Sequence, residues 1–340
     1  MKINLVRTLA VSLGGALLAA SATGCASSNA ANGKEVTTLR YLSAPGLLNY
    51  AELADALGYL KGLKLKTVGV AQGGPASLQA LVTGQTDVAI GPFNGATAKV
   101  ASTGIKLKAV SAAYGSTDKV NSSLLTLDSS SIRNGRDLIG KKVAVNTLGA
   151  NAEAVLDTYL KKQGLTPKEI DKVTLVPLPG INTEPALRKH QVDAAYLGFA
   201  AKILAIKHGG IRTLATDTDF VGPYNGGSYV LKDSFIKDNP KTTRTLVRGI
   251  TKAIVWDQAH KPAETLAVIG KWLKAQGRAG DVKALGLWQG NGVATPGGVL
   301  RDQDFSLWID WLKSSGEVKA ASLKPGDLYT NTYNVDEKGQ

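Results

Sequence analysis

An α/β fold built as two lobes is what this chain predicts, and three observations carry that reading. From Val36 onward, short β-branched or apolar runs alternate with segments of helical periodicity, the signature of strands interleaved with helices. The alternation comes as two series, separated by a strand-like stretch, "NSSLLTLDS", at 121–129. Each series also holds a copy of one motif. "ALVTGQTDVAI" (80–90) and "ALRKHQVDAAYL" (186–197) both run Ala-Leu, then Gln-x-Asp, then apolar, with Leu81 and Leu187 each six residues before Asp87 and Asp193. Two copies so far apart mark two lobes rather than a solenoid.

The N-terminal segment carries a positive start at Lys2 and Arg7, an apolar run at 9–20, and "SATGC" ending on Cys25. Spanning a bilayer takes roughly 20 apolar residues, and this run is shorter, so residues 1–24 read as an export signal. Cys25 is the only cysteine, which rules out an internal disulfide. Ala22, Thr23 and Gly24 before it resemble the lipobox of bacterial lipoproteins, although Ala22 stands where leucine is usual. The resemblance implies acylation of Cys25; cleavage by the ordinary signal peptidase is the alternative. Residues 25–35 are small and polar and suit a flexible, lipidated tether to a membrane surface.

In the first series the strands are expected at 38–43, 63–70, 87–91 and 105–111, with helices at 47–60, 76–82 and 95–102. In the second, strands at 141–146, 172–178, 193–197 and 211–216 alternate with helices at 151–163, near 185–190, and at 199–207. A turn-rich stretch at 221–232 becomes strand-like, the pattern is then helical to about residue 314, and a loop closes the chain. Segments 117–122 and 217–225 read as two hinge crossings. They divide the chain into lobe I (36–120 and 222–340) and lobe II (121–221), and the late helices return to lobe I.

Ligands of open α/β sheets bind outside the carboxyl ends of the strands, and here those ends are rich in small and turn-forming residues. "SAPG" (43–46), "QGGPAS" (72–77), "GPFNG" (91–95) and "AAYGS" (112–116) follow the first four strands; "NTLGANA" (146–152) and "LPGINTE" (178–184) follow two in the second series. Glycine lets a ligand approach the backbone, proline suits a first helical turn, and the first amides of a helix form an anion site. The strands therefore end so that main-chain amides face a cleft. Neither "QGGPAS" nor "NTLGANA" is a Walker loop or a G-x-G-x-x-G turn, so nucleotide binding has no support.

The formal net charge is +13, which admits nucleic acid, anionic membrane or anionic ligands as partners. The lysines are scattered, with no dense basic run and no aromatic RNA-binding pattern, and the export signal argues against a nucleic-acid partner. The three histidines, His190, His208 and His260, share no metal-ligand spacing, and no Gly-x-Ser-x-Gly elbow is present. No metal and no cofactor are expected. All five tryptophans fall between Trp256 and Trp311, where packing against the sheet is their expected role.

The segments 62–95, 104–112, 136–165 and 186–198 resemble the solute-binding proteins of ABC transporters with the type II periplasmic-binding fold, within the sulfonate/nitrate/taurine-binding SsuA/THI5-like family. The likeness covers roughly 36–275. It implies a monomeric receptor, not an enzyme, that closes about a small molecule and presents it to a membrane permease. It also implies that the strand-end loops hold the ligand: Ser43, Pro45, Gly73, Gly74, Gly91, Pro92, Thr147, Gly149 and Asn151. Asn94 and Gly198 lie in the neighbouring loops, Tyr114 and Tyr224 at strand ends or crossings, and Phe93, Tyr114 or Phe199 is expected to cover the ligand's apolar body. Gly74 is expected to border the pocket, so that an aspartate there would repel an anion. "SAPGLLNY" has no charged residue and "YLGFAA" is apolar, which favours an organic molecule with one anionic or polar head over an inorganic ion. A sulfonate-like anion is the expected ligand, with nitrate or a thiamine-related pyrimidine as the alternative. The same family includes a pyrimidine-forming enzyme that depends on a cysteine-rich segment, absent here. A receptor signalling through a membrane partner is the remaining alternative.

Overall fold

A computed structural model describes residues 35–71, 73–318 and 323–334, without the side chain of Phe199. The export signal, Cys25 and Gln72 lie outside the described residues. Among the described residues there are ten strands: β1 (Thr38–Ser43), β2 (Lys64–Val70), β3 (Ala89–Phe93), β4 (Leu107–Ser116), β5 (Ser123–Leu127), β6 (Lys142–Val145), β7 (Thr174–Pro177), β8 (Ala194–Leu197), β9 (Ile211–Thr216) and β10 (Tyr224–Lys232). They form a parallel pair β1-β2, a three-stranded sheet β3-β10-β4, and a five-stranded sheet β7-β6-β8-β5-β9. Strands from 38–116 and 224–232 thus share one group of sheets, and those from 123–216 the other. The chain passes between the groups at 117–122 and 217–223.

The repeated Gln-x-Asp motif now has a physical role. The Asp87 carboxylate accepts from the Arg40 amide at 2.7 Å, while the Asp87 amide donates back to the Arg40 carbonyl at 2.9 Å. Asp193 does the same to Lys142, with both distances 2.8 Å. In each copy the aspartate clamps the start of an apolar strand to the start of its neighbour, and the leucine six residues earlier is buried (Leu81 1 %, Leu187 0 % exposed). The repeat is a strand-register device.

Alternation with a period of two fills the five-stranded sheet from both faces. Leu124, Val143 and Ala194 join the cluster on one face, and their neighbours Leu125, Ala144 and Ala195 join the other. A larger core packs the first group against the late helices. Leu39, Tyr41 and Leu53 share one core with Leu246, Ile250 and Ile254 of the helix Pro240–Ala259 and with Trp308 and Leu312 of the helix Gln303–Ser314. Among the described residues no helix is long and apolar enough to cross a membrane.

Several expected boundaries move, each for a local reason. The helix expected over 47–60 is only Tyr50–Ala56, because the Asn49 carboxamide caps it by accepting from the Ala51 amide. Gly91 and Pro92 do not end the third strand. They lie inside β3 at a register shift against β10 between Tyr229 and Gly227, where a proline without an amide hydrogen is tolerated. "AAYGS" is likewise no loop, because β4 continues through Ser116 and pairs along the full length of β10. The helix expected near 185–190 spans Gly180–Arg188 with Pro185 inside it. The expected run of helix to residue 314 is interrupted at 285–302, where one 3-10 turn, Pro296–Gly298, is the only helical element. Gly292 there has φ +65°, and a Cβ on it would lie 2.5 Å from the Gly115 carbonyl oxygen, so the chain can pass beneath β4 only as glycine.

Candidate functional site

The two principal strand-end loops come from different sheet groups and face each other. Gly73, at φ +95° and ψ 175°, precedes the helix Gly74–Val82, whose first turn holds Pro75. A Cβ placed on Gly73 would stand 3.8 Å from Thr147 Oγ1. On the Thr147 side, the helix Asn151–Lys162 starts after Ala150 without a side-chain cap. Its anion site is partly occupied from within, because the Gly149 amide donates to Glu153 Oε2 at 2.7 Å.

Behind this meeting point lies a floor of glycines under one aromatic ring. A Cβ on Gly227 would fall 2.2 Å from Tyr114 Cε1, one on Gly226 2.9 Å from Tyr114 Cε2, and one on Gly91 3.8 Å from the same ring. The Tyr114 ring therefore crosses β10 and reaches β3, which only strands bare of side chains allow. Gly226 also makes room for Asn151, whose Oδ1 would lie 3.4 Å from a Cβ there. Burial raises the Tyr114 phenol well above its ordinary pKa, so it stays neutral. Tyr224 is buried beside it, its ring edge-on to Trp308 at 5.4 Å and its hydroxyl 3.2 Å from Asn151 Nδ2.

Other expected site residues are placed differently. Ser43 is buried and its hydroxyl donates to the Gly69 carbonyl oxygen at 3.2 Å, turned toward β2. Pro45 is exposed in the same loop. Gly74 packs on β3: a Cβ would meet Pro92 Cα at 3.0 Å and the Gly91 carbonyl oxygen at 3.2 Å. An aspartate there would strike backbone, so Gly74 belongs to packing between helix and strand. Phe93 is 2 % exposed, with Trp308 5.0 Å and Trp311 6.4 Å away, and its ring is core. Asn94, 0 % exposed, donates to the carbonyls of Asn225 and Asp304 and accepts from Ser228; it braces helices rather than facing the cleft. Gly198 caps the helix Phe199–Lys207, and a Cβ on it would lie 2.4 Å from Ser122 Oγ in the first crossing.

Sequence reasoning missed one group of residues, centred on Asp217. Its carboxylate is wholly buried and accepts from Ser116, Tyr196 and Tyr224. Burial raises its pKa above the ordinary carboxylate range, against the pull of those hydroxyls. The same stretch, "TDTDF", contains Asp219, which caps its own helix by accepting from the Thr216 amide at 2.8 Å. Two aspartates in one capping run look alike in sequence, and only tertiary contacts separate their roles.

Among the described residues no cluster of three or more His, Cys, Asp or Glu could hold a metal. A recess of about 240 Å³ lined by Ser129, Lys141, His190 and Asp193 lies elsewhere, where β6 and β8 begin, at the opposite ends of those strands from the Thr147 and Gly198 loops.

Two sheet groups joined by two crossings, with strand-end loops face to face, define the class of periplasmic solute-binding folds. The chain belongs to the NMT1/THI5-like family, which matches residues 51–264. No curated protein matches it significantly. Among solved structures it is similar to the alkanesulfonate-binding protein SsuA of Xanthomonas axonopodis pv. citri bound to MOPS (TM-score 0.64, 19 % identity, covering 87 % of this chain and 100 % of that one). It is similar to the periplasmic nitrate-binding protein NrtA of Synechocystis PCC 6803 (0.63, 14 %, 88 % and 87 %). The desulfurization enzyme DSZB shares the fold as well (0.59, 13 %, 88 % and 97 %).

Proposed function

We propose that this chain is an exported solute-binding receptor of an ABC importer, holding a small organic anion of the sulfonate type between its 73–74 and 147–151 loops. The approach of Gly73 to Thr147 carries the reading, because a ligand held at these two loops touches both sheet groups only when they are close. Binding then shifts the population toward the closed form. The amides at the start of the helix Gly74–Val82, the Thr147 hydroxyl and the Asn151 carboxamide supply polar contacts, and the Tyr114 ring supplies an apolar wall. Because Glu153 already uses the Gly149 amide, the anion rests mainly on the Gly73 side. One polar head on an apolar body suits this lining better than nitrate does. Acylation at Cys25 and delivery to a membrane permease complete the proposal.

Thermal unfolding against MOPS, alkanesulfonates, nitrate, carboxylates and pyrimidines tests it. A sulfonate should raise the midpoint with concentration, and Thr147→Ala and Asn151→Ala should reduce the shift. A panel without any shift, or one those variants leave intact, ends the reading. Turnover of any of these compounds by the purified protein would instead favour an enzyme, the reading for which the fold of the desulfurization enzyme speaks.

A further inference from the structure

Asp217 sits where both crossings meet, and its bonds come from both sheet groups. Its Oδ2 accepts from Ser116 Oγ at the end of β4 (2.5 Å) and from the Tyr224 hydroxyl at the start of β10 (3.2 Å). From the other group it accepts from the Tyr196 hydroxyl in β8 (3.2 Å), and from the first crossing it accepts from the Ser122 amide (3.4 Å). The Tyr224 hydroxyl also lies 3.2 Å from Asn151 Nδ2 and 3.3 Å from Asn151 Oδ1, so two acceptors, Asp217 and Asn151 Oδ1, compete for its proton, and the charged one takes it. A phenol has one proton, and an ionised carboxylate can only accept. Tyr224 therefore gives its proton to Asp217 and turns a lone pair to Asn151, whose amide nitrogen donates. One directed chain, Asn151 to Tyr224 to Asp217, runs from a cleft loop to the hinge.

Stability alone does not account for this carboxylate. It is 0 % exposed and its Oδ1 has no partner, an arrangement that costs free energy. What it provides is geometry: charge-assisted bonds to hydroxyls on both sides of the hinge. Lys202, in the helix Phe199–Lys207, reaches the first crossing, its ammonium donating to the Asn121 carbonyl oxygen at 3.2 Å.

We infer that Asp217 is a positioning residue, which holds the two sheet groups at a set angle and, through Tyr224, sets the orientation of Asn151 toward the ligand. The second half rests on the proposed cleft function; the first does not.

Spin labels on Lys66→Cys and Lys168→Cys, one exposed position in each group, in full-length chain carrying Cys25→Ser, report the inter-group distance without any ligand. Asp217→Asn and Tyr224→Phe should broaden the distance distribution. Tyr229→Phe is the control, because its hydroxyl is bonded only within the first group, to Asn49 and the Tyr50 and Ala51 amides. It should lower the thermal midpoint and leave the distribution unchanged. Distributions identical to the parent's in both hinge variants overturn the inference. Should Asp217→Asn not fold, Tyr224→Phe decides it, since that variant keeps the ring on Trp308. In MOPS titrations Tyr224→Phe and Asn151→Ala should each cost about tenfold in affinity, and the double variant little more than either alone. Fully additive losses overturn the link to Asn151. Failure of MOPS to bind counts against the sulfonate reading and overturns that link, while the spin-label result still decides the hinge role.

Discussion

Glu52 shows how much a single buried charge depends on its partner. It is 4 % exposed and is held by Arg278 at 2.6 Å and by the Tyr41 hydroxyl at 2.6 Å. Arg278→Met would leave it buried without a counter-charge, and urea unfolding should show a loss of about 3 kcal/mol or more. A loss well under about 1 kcal/mol, the range of surface pairs, would show that the pair is solvated in solution. The glycine floor offers a second test at this scale. Gly227→Ala drives a methyl into the Tyr114 ring and should destabilise by about 2 kcal/mol through overpacking. Tyr114→Ala should relieve the ring clash but not the one with the Pro92 carbonyl oxygen, 2.8 Å from the same Cβ, so the double variant loses less than the sum yet stays less stable than Tyr114→Ala alone. These partners were not legible in the sequence. Gly226 and Gly227 read there as a turn, and their purpose, making room for a ring from β4, exists only once β4 and β10 are paired.

At the scale of elements, the helices Asn151–Lys162 and Gln303–Ser314 belong to different sheet groups and are joined by a hydrogen bond from Trp311 Nε1 to Asp157 Oδ2 at 2.9 Å. Burial raises the Asp157 carboxyl to about 6; Trp311 opposes the shift, and Glu153 and Asp171 add to it. An aspartate in the unfolded chain titrates near ~3.9, so between these values the folded protein holds the extra proton. The contribution of Asp157 to stability is therefore present below about pH 4 and is lost as pH rises through about 6. Asp157→Asn keeps an acceptor for Trp311 and removes the charge. It should raise the thermal midpoint at about pH 7.5 and change it little at about pH 4.5; an equal shift at both would refute the assignment. Element identity was largely readable from period and punctuation: the helix at 199–207 and the strand at 211–216 fall where expected. Boundaries failed where pairing overrode punctuation, as at Gly91-Pro92, which β10 absorbs as a bulge.

For the whole molecule, the proposed closure on a ligand predicts compaction. A ligand bridging the Gly73 and Thr147 loops should lower the radius of gyration in solution scattering while raising the thermal midpoint. A ligand that raises the midpoint without compaction binds one loop alone and argues against a bridging site. What the sequence by itself determined is the α/β class, the two series, and the repeated aspartate that starts a strand in each, because periodicity and local hydrogen bonding act within a few residues. Tertiary structure alone decided that Gly73 faces Thr147, that Gly74, Phe93 and Asn94 serve packing, and that Asp217 rather than Asp219 joins the crossings. Those outcomes depend on contacts between residues up to some two hundred positions apart, set by which surfaces the sheets bury and not by any neighbouring residue.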